Sequence, residues 1–532
     1  MEAMDIDALL CGLPERLSDI PRRWALRAPR ALALSQHGQS HTYRELADAV
    51  DQAAGLLRGH GVRPGDRLMI VAENCVAQVV LIFAAAQVDA WAVNVNARLS
   101  APEIDAIRDH CGARRVVYTA AVSADAQAHA ERHGARRLAL PGAGDIAMGL
   151  LNEACLPEPV HVEGRDQVAA LIYTTGTTGQ PKGVMLTHRN LLFVAAMSSL
   201  VRGLAATDRV YGVLPITHVF GLASVALGTL YAGASLYLAA RYSPAALVEA
   251  VRNEGLTIVQ GVPAMYARLL EYDYGDWNPA GSALRFLYAG GSPLDQTLKN
   301  AVERLFGRTL HNGYGMTESS PTVSQTRIDA PRRDTSVGSV IPGVAIRLVD
   351  HAGADVPAGE PGELWVRGPN VMKGYYRDPE LTRAAINPGG WLNTGDIARR
   401  DPDGALFIVG RTKDLIIRSG FNVYPIEVEA VLNSHPAVVQ SAVVGCRLED
   451  GNEDVMAFVE LDPSAAHVGA DDLLAYLEPR LSPYKRPARI VVMDALPAAA
   501  TGKILKGQLK LRAQQLHDAS ETHHIPKRKE RQ

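Results

Sequence analysis

The chain has 532 residues, with 54 Lys plus Arg against 57 Asp plus Glu and a formal net charge of -3. That near balance argues against bulk nucleic-acid binding, which needs a basic excess on one face. A hydrophobic content of 47% indicates a soluble globular protein with a large core, and the length suggests roughly three to four folding units.

The N-terminal run MEAMDIDALLCGLPERLSD is acidic and has no basic start followed by an apolar core, so no secretory signal is expected. Residues 41–61 read as a helix that ends on glycines. Residues 63–74 read as a turn and a short buried strand, 76–90 as a second helix and 91–96 as another strand. RRVVYTA at 114–120, LTIVQGV at 256–262, ALRFLYAG at 283–290 and TLHNGYG at 309–315 are further apolar runs beside turns. Strands alternating with helices predict βαβ units and at least one largely parallel sheet. Residues 210–240 lack Asp, Glu, Lys and Arg, but Pro215, His218 and four glycines interrupt them. They are read as a buried helix, turn and strand, with no integral membrane span. After about 335, the β-rich runs 336–350, 362–369 and 405–410 predict a small, mostly antiparallel subdomain. From Lys413 onward the pattern predicts a separate α+β domain of about a hundred residues.

The expected architecture is therefore α/β. A large multi-subdomain N-terminal domain spans 1–412, a small mobile α+β domain spans 413–517, and a basic disordered tail spans 518–532. Cys11, Cys75, Cys111, Cys155 and Cys446 form no CxxC pair and no metal-ligand spacing, which predicts reduced thiols in a cytoplasmic protein. For assembly the sequence offers only the general expectation of a homodimer.

The strongest chemical signal is YTTGTTGQPKGVMLTH, 173–188. Glycines let the backbone approach phosphate oxygens and present several N–H groups. Thr174, Thr175, Thr177 and Thr178 add hydroxyls around Gly176 and Gly179, and Lys182 adds a positive charge. This is not the GxxxxGK[ST] loop, because Gly183 follows Lys182 and Pro181 precedes it.

This segment resembles the phosphate loop of the adenylate-forming superfamily, whose members include acyl-CoA synthetases, luciferases and peptide-synthetase adenylation domains. The resemblance covers nearly the whole chain, because four more motifs follow in order: HNGYGMTE (311–318), WLNTGD (391–396), GRTKDLIIRSGFNVYPIEVE (410–429) and TGKILK (501–506). It implies that Thr317 and Glu318 face the phosphates and a Mg²⁺ ion, with Thr174 near the same ion; Glu318 is a hard oxygen ligand of suitable kind. Asn312, Gly313, Gly315 and Met316 fall in the same motif, whose glycines permit close approach to a planar ligand, and Tyr314 offers a ring for stacking on adenine. Asp396 is implied as the ribose ligand and Arg411 as a second nucleotide contact. Lys503 is implied as the catalytic lysine that bridges the carboxylate and the α-phosphate, and Lys413 as the hinge. Ser419 and Gly420 match the pantetheine tunnel, and Asn422 stands where Gln is common. His218 is read as a substrate-site residue, although Thr217 replaces a usual aromatic neighbour. Gly290, Gly291 and Ser292 match the turn beside the acyl pocket and adenine.

The implied reaction joins a small-molecule carboxylic acid to coenzyme A. Mg·ATP first gives an acyl-adenylate and pyrophosphate, and coenzyme A then displaces AMP. Pocket walls at 218–222, 260–262, 290–292 and 315–322 are small, apolar or neutral, which favours a hydrophobic acid. A medium or long fatty acid is the first expectation. A coumarate- or benzoate-type acid is the alternative, and transfer to a carrier protein is a further one.

Overall fold

A computed structural model describes residues 4–175, 181–419, 421–448, 452–465, 467–498 and 504–522. The chain forms two units. One comprises Met1–Gly291, Val302–Arg347 and Trp365–Thr394; the other comprises Ser292–Ala301, Leu348–Leu364 and Gly395–Gln532. Residues from Gly395 onward fall in the second unit, and the strands Leu392–Arg400 and Leu406–Arg411 pair antiparallel as a hairpin.

Two sheets dominate the first unit. In the eight-stranded sheet, Val168–Thr175, Trp91–Asn96, Arg67–Ala72 and Arg115–Tyr118 are mutually parallel. The strand Arg67–Ala72 shows why: all six residues are buried. Leu68, Ile70 and Ala72 enter one core and Met69 and Val71 another, the two-residue alternation of a strand covered on both faces. In the nine-stranded sheet, Leu32–Gln36, Ser235–Leu238, Arg209–Gly212, Ile258–Gly261, Phe286–Ala289 and Leu310–Gly315 are parallel, with antiparallel strands at both edges. The nine-stranded sheet is thus the expected largely parallel one, and the eight-stranded sheet has a parallel centre flanked by antiparallel strands.

The helix Val76–Gln87 is apolar around its circumference and almost wholly buried, as is His188–Val201, which starts on a Thr187/Asn190 capping box. The core that contains both helices takes Ile70 and Ile172 from one sheet and Leu34, Val210, Ile258 and Phe286 from the other. The charge-free stretch becomes the strand Arg209–Gly212, a π-helical segment Phe220–Leu227, the helix Gly228–Tyr231 and the strand Ser235–Leu238. Among the described residues no helix is long and apolar enough to cross a membrane.

The β-rich region after 335 divides. Ser339–Val340 joins the edge of the nine-stranded sheet, while Ala345–Val349, Gly362–Arg367, Leu392–Arg400 and Leu406–Arg411 form a four-stranded sheet. In the second unit the strands Val438–Arg447, Glu453–Leu461 and Arg489–Met493 form a mixed sheet. Val428 and Leu432 of the helix Pro425–Asn433 share a core with Val443, Val455, Leu473 and Leu477. The last helix runs Lys506–Thr522 and so includes 518–522, which the sequence pattern assigned to the tail.

Candidate active site

The phosphate-loop motif opens on an antiparallel pair, Val168–Thr175 with Pro181–Thr187. Thr174 stands opposite Lys182, and Tyr173 opposite Gly183. Both Thr174 and Lys182 are half-buried. Gly176, Thr177, Thr178 and Gly179 lie outside the described residues, as do Gly420 and Lys503. The base of the loop is fixed by side chains. The Tyr173 hydroxyl and His110 Nδ1 share a hydrogen bond of 2.7 Å. Burial, and then Arg377, lower the His110 pKa, which favours the neutral ring. A Cβ on Gly183 would lie 3.2 Å from the Tyr173 ring.

The strand Gly374–Tyr375 pairs antiparallel with Pro181–Thr187 on the other side. This pairing supplies a residue that sequence reasoning missed. The Tyr375 hydroxyl donates to Glu318 Oε1 at 2.8 Å, and Met372 N–H donates to the Glu318 carbonyl at 2.9 Å. Burial, followed by the Glu318 charge, pushes the Tyr375 phenol well above its ordinary pKa, so it remains a donor. Glu318 is 9% exposed and sits in the turn Thr317–Ser319. Among the described residues no three His, Cys, Asp or Glu side chains converge to hold a metal ion. One carboxylate nevertheless fits Mg²⁺ carried on ATP phosphates, since that ion keeps waters and takes only one or two protein carboxylates.

The motif glycines are explained by protein atoms. A Cβ on Gly313 would lie 2.0 Å from the Tyr288 hydroxyl, and one on Gly315 would lie 1.8 Å from the Pro321 carbonyl. Gly290 would place its Cβ 3.1 Å from the Tyr288 ring and 3.3 Å from the Phe220 ring, and Gly291 has φ +80°. The Asn312 amide donates to the carbonyls of Thr335 and Ser336 and accepts from Gly313 N–H, which makes it a brace for the strand end. Met316 N–H donates to the Pro321 carbonyl, Thr317 is buried, and Tyr314 is half-buried. His218 is exposed, and its Nδ1 accepts from Phe220 N–H at 3.2 Å. A neutral His218 therefore carries its proton on Nε2.

In the second unit Asp396 and Arg411 are cross-strand neighbours, with Nε to Oδ1 at 3.0 Å. The two residues read separately as nucleotide contacts thus form an ion pair with each other. Lys413 lies exposed in the turn Thr412–Asp414. Ser419 has φ +51°, and its N–H donates to Asn452 Oδ1. Asn422 is exposed on the strand Phe421–Val423, and Ser292 also belongs to this unit.

Comparison with known proteins accounts for this arrangement. Residues 21–376 match the model of the AMP-binding enzyme family, and 427–503 match its C-terminal domain. The chain is 37% identical to a feruloyl-CoA synthase of an Amycolatopsis species over 93% of its own length and 99% of that protein. It resembles ATP-bound MatB from Rhodopseudomonas palustris with a TM-score of 0.83 and 30% identity, covering 94% of this chain and 100% of that one. It resembles a benzoate CoA ligase from Burkholderia xenovorans LB400 with a TM-score of 0.80 and 30% identity, covering 93% and 99%. The chain belongs to the AMP-binding enzyme family and is an AMP-forming acid–CoA ligase that uses ATP, Mg²⁺ and coenzyme A.

Proposed function

We propose that the acid is aromatic, of the arylalkenoic or benzoic type, and that the fatty-acid expectation yields to it. The likeness to a feruloyl-CoA synthase and a benzoate CoA ligase supports this reading. The observation that carries it is the pair of rings beside the Gly290 turn. Phe220 and Tyr288 meet edge to face with centroids 5.9 Å apart, and both reach the space where a Gly290 side chain would stand. Such rings favour a flat aromatic partner by offset or edge contacts of about 0.5–1.5 kcal/mol beyond area burial.

In the first step a carboxylate oxygen attacks the α-phosphorus of ATP and pyrophosphate leaves. In the second, the coenzyme A thiolate attacks the acyl carbonyl and AMP leaves, so no protein nucleophile is needed. The threonines and glycines of 174–179 and Lys182 bind the triphosphate. Glu318, steadied by Tyr375, would hold Mg²⁺, which supplies positive charge to the phosphate oxygens. His218 offers Nε2–H to the acyl oxygen. Asp396 and Arg411 serve the nucleotide, Lys503 serves adenylation, and Ser419 and Gly420 serve the thiol step about the Lys413 pivot.

The test is pyrophosphate release with a panel of ferulate, 4-hydroxycinnamate, benzoate, decanoate and palmitate, with AMP and thioester scored in the presence of coenzyme A. We expect kcat/KM for the best aryl acid to exceed that for either fatty acid by at least about tenfold. The reverse order refutes the aromatic reading. Pyrophosphate release without thioester would move the acyl acceptor from coenzyme A to a carrier.

A further inference from the structure

Gln260, Tyr288 and His311 stand side by side in register on three parallel strands of the nine-stranded sheet. Beside them lies Arg202, the residue that ends the helix His188–Val201, with no exposed surface. Its guanidinium carbon is 4.5 Å from the Tyr288 ring centroid. Nη1 donates to Gln260 Oε1 and, at 3.3 Å, to the Ser224 carbonyl, and Nε donates to Gln325 Oε1 at 3.2 Å. Among the described residues no carboxylate pairs with this cation. Burying a guanidinium without an anion is costly, so the arrangement requires a reason.

The polar groups of the cluster do not balance. Both glutamines turn their oxygens to Arg202, since a flipped amide would set donor against donor. Their amino groups are left over. Arg202 Nη2, Gln260 Nε2 and Gln325 Nε2 are all buried and bonded to nothing described. Among the described residues the network thus holds three buried donors without a hydrogen bond, and the Tyr288 hydroxyl beside Arg202 is a further acceptor that leans on it. Native interiors rarely leave such groups unmatched without a ligand or water to meet them.

We propose that this cluster recognises an oxygen on the distal part of the substrate's aromatic ring, a hydroxyl or an ether. The proposal rests on the aryl-acid reading above and narrows it. Tyr288 links the cluster to the acyl site, because one ring both stacks on Arg202 and meets Phe220 beside Gly290. Ser224, whose carbonyl takes one Arg202 proton, lies on the same π-helical segment as Phe220. π-helical turns are frequent at functional sites. The cluster discriminates by penalty. An acid with a bare ring, or an alkyl chain, displaces any water from the donors and offers them no acceptor, whereas a ring oxygen satisfies them.

The test measures kcat/KM for 4-hydroxycinnamate, ferulate, cinnamate, 4-carboxycinnamate and decanoate in the wild-type enzyme, Arg202→Met and Gln260→Leu. Wild type should prefer 4-hydroxycinnamate to cinnamate by on the order of 10²-fold, and each variant should reduce that ratio at least about tenfold, mainly through KM. A wild-type ratio near one overturns the proposal and leaves the aryl-acid reading standing; decanoate above every aryl acid overturns both. Equal losses on both cinnamates, in variants with wild-type melting temperatures, would show that the cluster shapes the acyl site without reading the ring oxygen and overturn the proposal. Preference for 4-carboxycinnamate would also overturn it, in favour of a distal carboxylate. If Arg202→Met does not fold, Gln260→Leu and the wild-type panel decide.

Discussion

Replacing Tyr375 by Phe removes one oxygen and tests how the Glu318 carboxylate is held. The Tyr375–Glu318 hydrogen bond, at 2.8 Å, is the one side-chain hydrogen bond to this carboxylate among the described residues, and Glu318 is only 9% exposed. A hydrogen bond to a charged group contributes about 1.5–3 kcal/mol, and a buried oxygen left without its donor costs a similar amount. At about 1.4 kcal/mol per decade, this corresponds to roughly a 10- to 150-fold change if it falls wholly on the bound Mg·ATP complex. Because Tyr375 positions Glu318 and touches no reacting atom in the proposed site, the loss should appear in the Mg·ATP dependence.

The assay is initial-rate pyrophosphate release with a saturating aryl acid, with Mg²⁺ and ATP varied separately. We expect the half-saturating Mg·ATP concentration to rise about tenfold or more, with a smaller fall in kcat. Since the Tyr375 phenol stays protonated, the wild-type to variant ratio should be flat from pH 6 to 9. A variant with unchanged Mg²⁺ dependence and normal stability would refute the view that Tyr375 steadies a metal-binding carboxylate.

Three further outcomes are expected. Lys503→Ala should slow adenylate formation by about 10²–10³-fold, read by single-turnover pyrophosphate release, while ATP binding by calorimetry changes far less. Gly313→Ala places a Cβ 2.0 Å from the Tyr288 hydroxyl and should cost about 1–3 kcal/mol in urea unfolding, part of which Tyr288→Phe restores by removing that hydroxyl. His188 is fully buried, its Nδ1 accepts from Leu17 N–H, and burial lowers its pKa from 6.5 to about 3. The unfolded chain therefore binds the extra proton between these values. The stability that His188 contributes is complete above pH 6.5 and is lost as pH falls toward 3, at up to about 1.4 kcal/mol per pH unit. His188→Asn should flatten that acid slope in urea titrations at pH 7, 6 and 5.

Much of the fold is legible because its signals are local. Residues 68–72 form a continuous apolar run and 91–96 a largely apolar one broken by Asn94 and Asn96, and they become buried strands. The helix Val76–Gln87 is long enough to be separated from a buried strand by length alone. Ser339–Val340 marks the limit. Its β-rich texture was visible, but which sheet it joins depends on pairing with Thr322–Gln325, and register between distant segments leaves no local trace. The grouping of residues from Gly395 onward is of the same kind. The turn residues at 401–404 suggest a hairpin, yet nothing local says that this hairpin groups with the chain that follows it.

The candidate site divides along the same line, and its glycines show why. In the sequence, Gly313, Gly315 and Gly290 read as room for a ligand. In the structure, the space a side chain would fill is taken by Tyr288, Pro321 and Phe220. A glycine records that something approaches the backbone without recording what. The same holds for Arg202. Alone in LVRGL it is one surface-type residue ending a helix, and only the register of Gln260 with Tyr288 turns it into a buried cation with spare donors around it. A ligand site assembled from a helix end, two strand ends and a π-helical turn has no spacing that a motif could capture. Its specificity must therefore be sought in the balance of buried donors and acceptors, which is why the ratio of oxygenated to bare cinnamate probes this enzyme more sharply than any change to the phosphate loop.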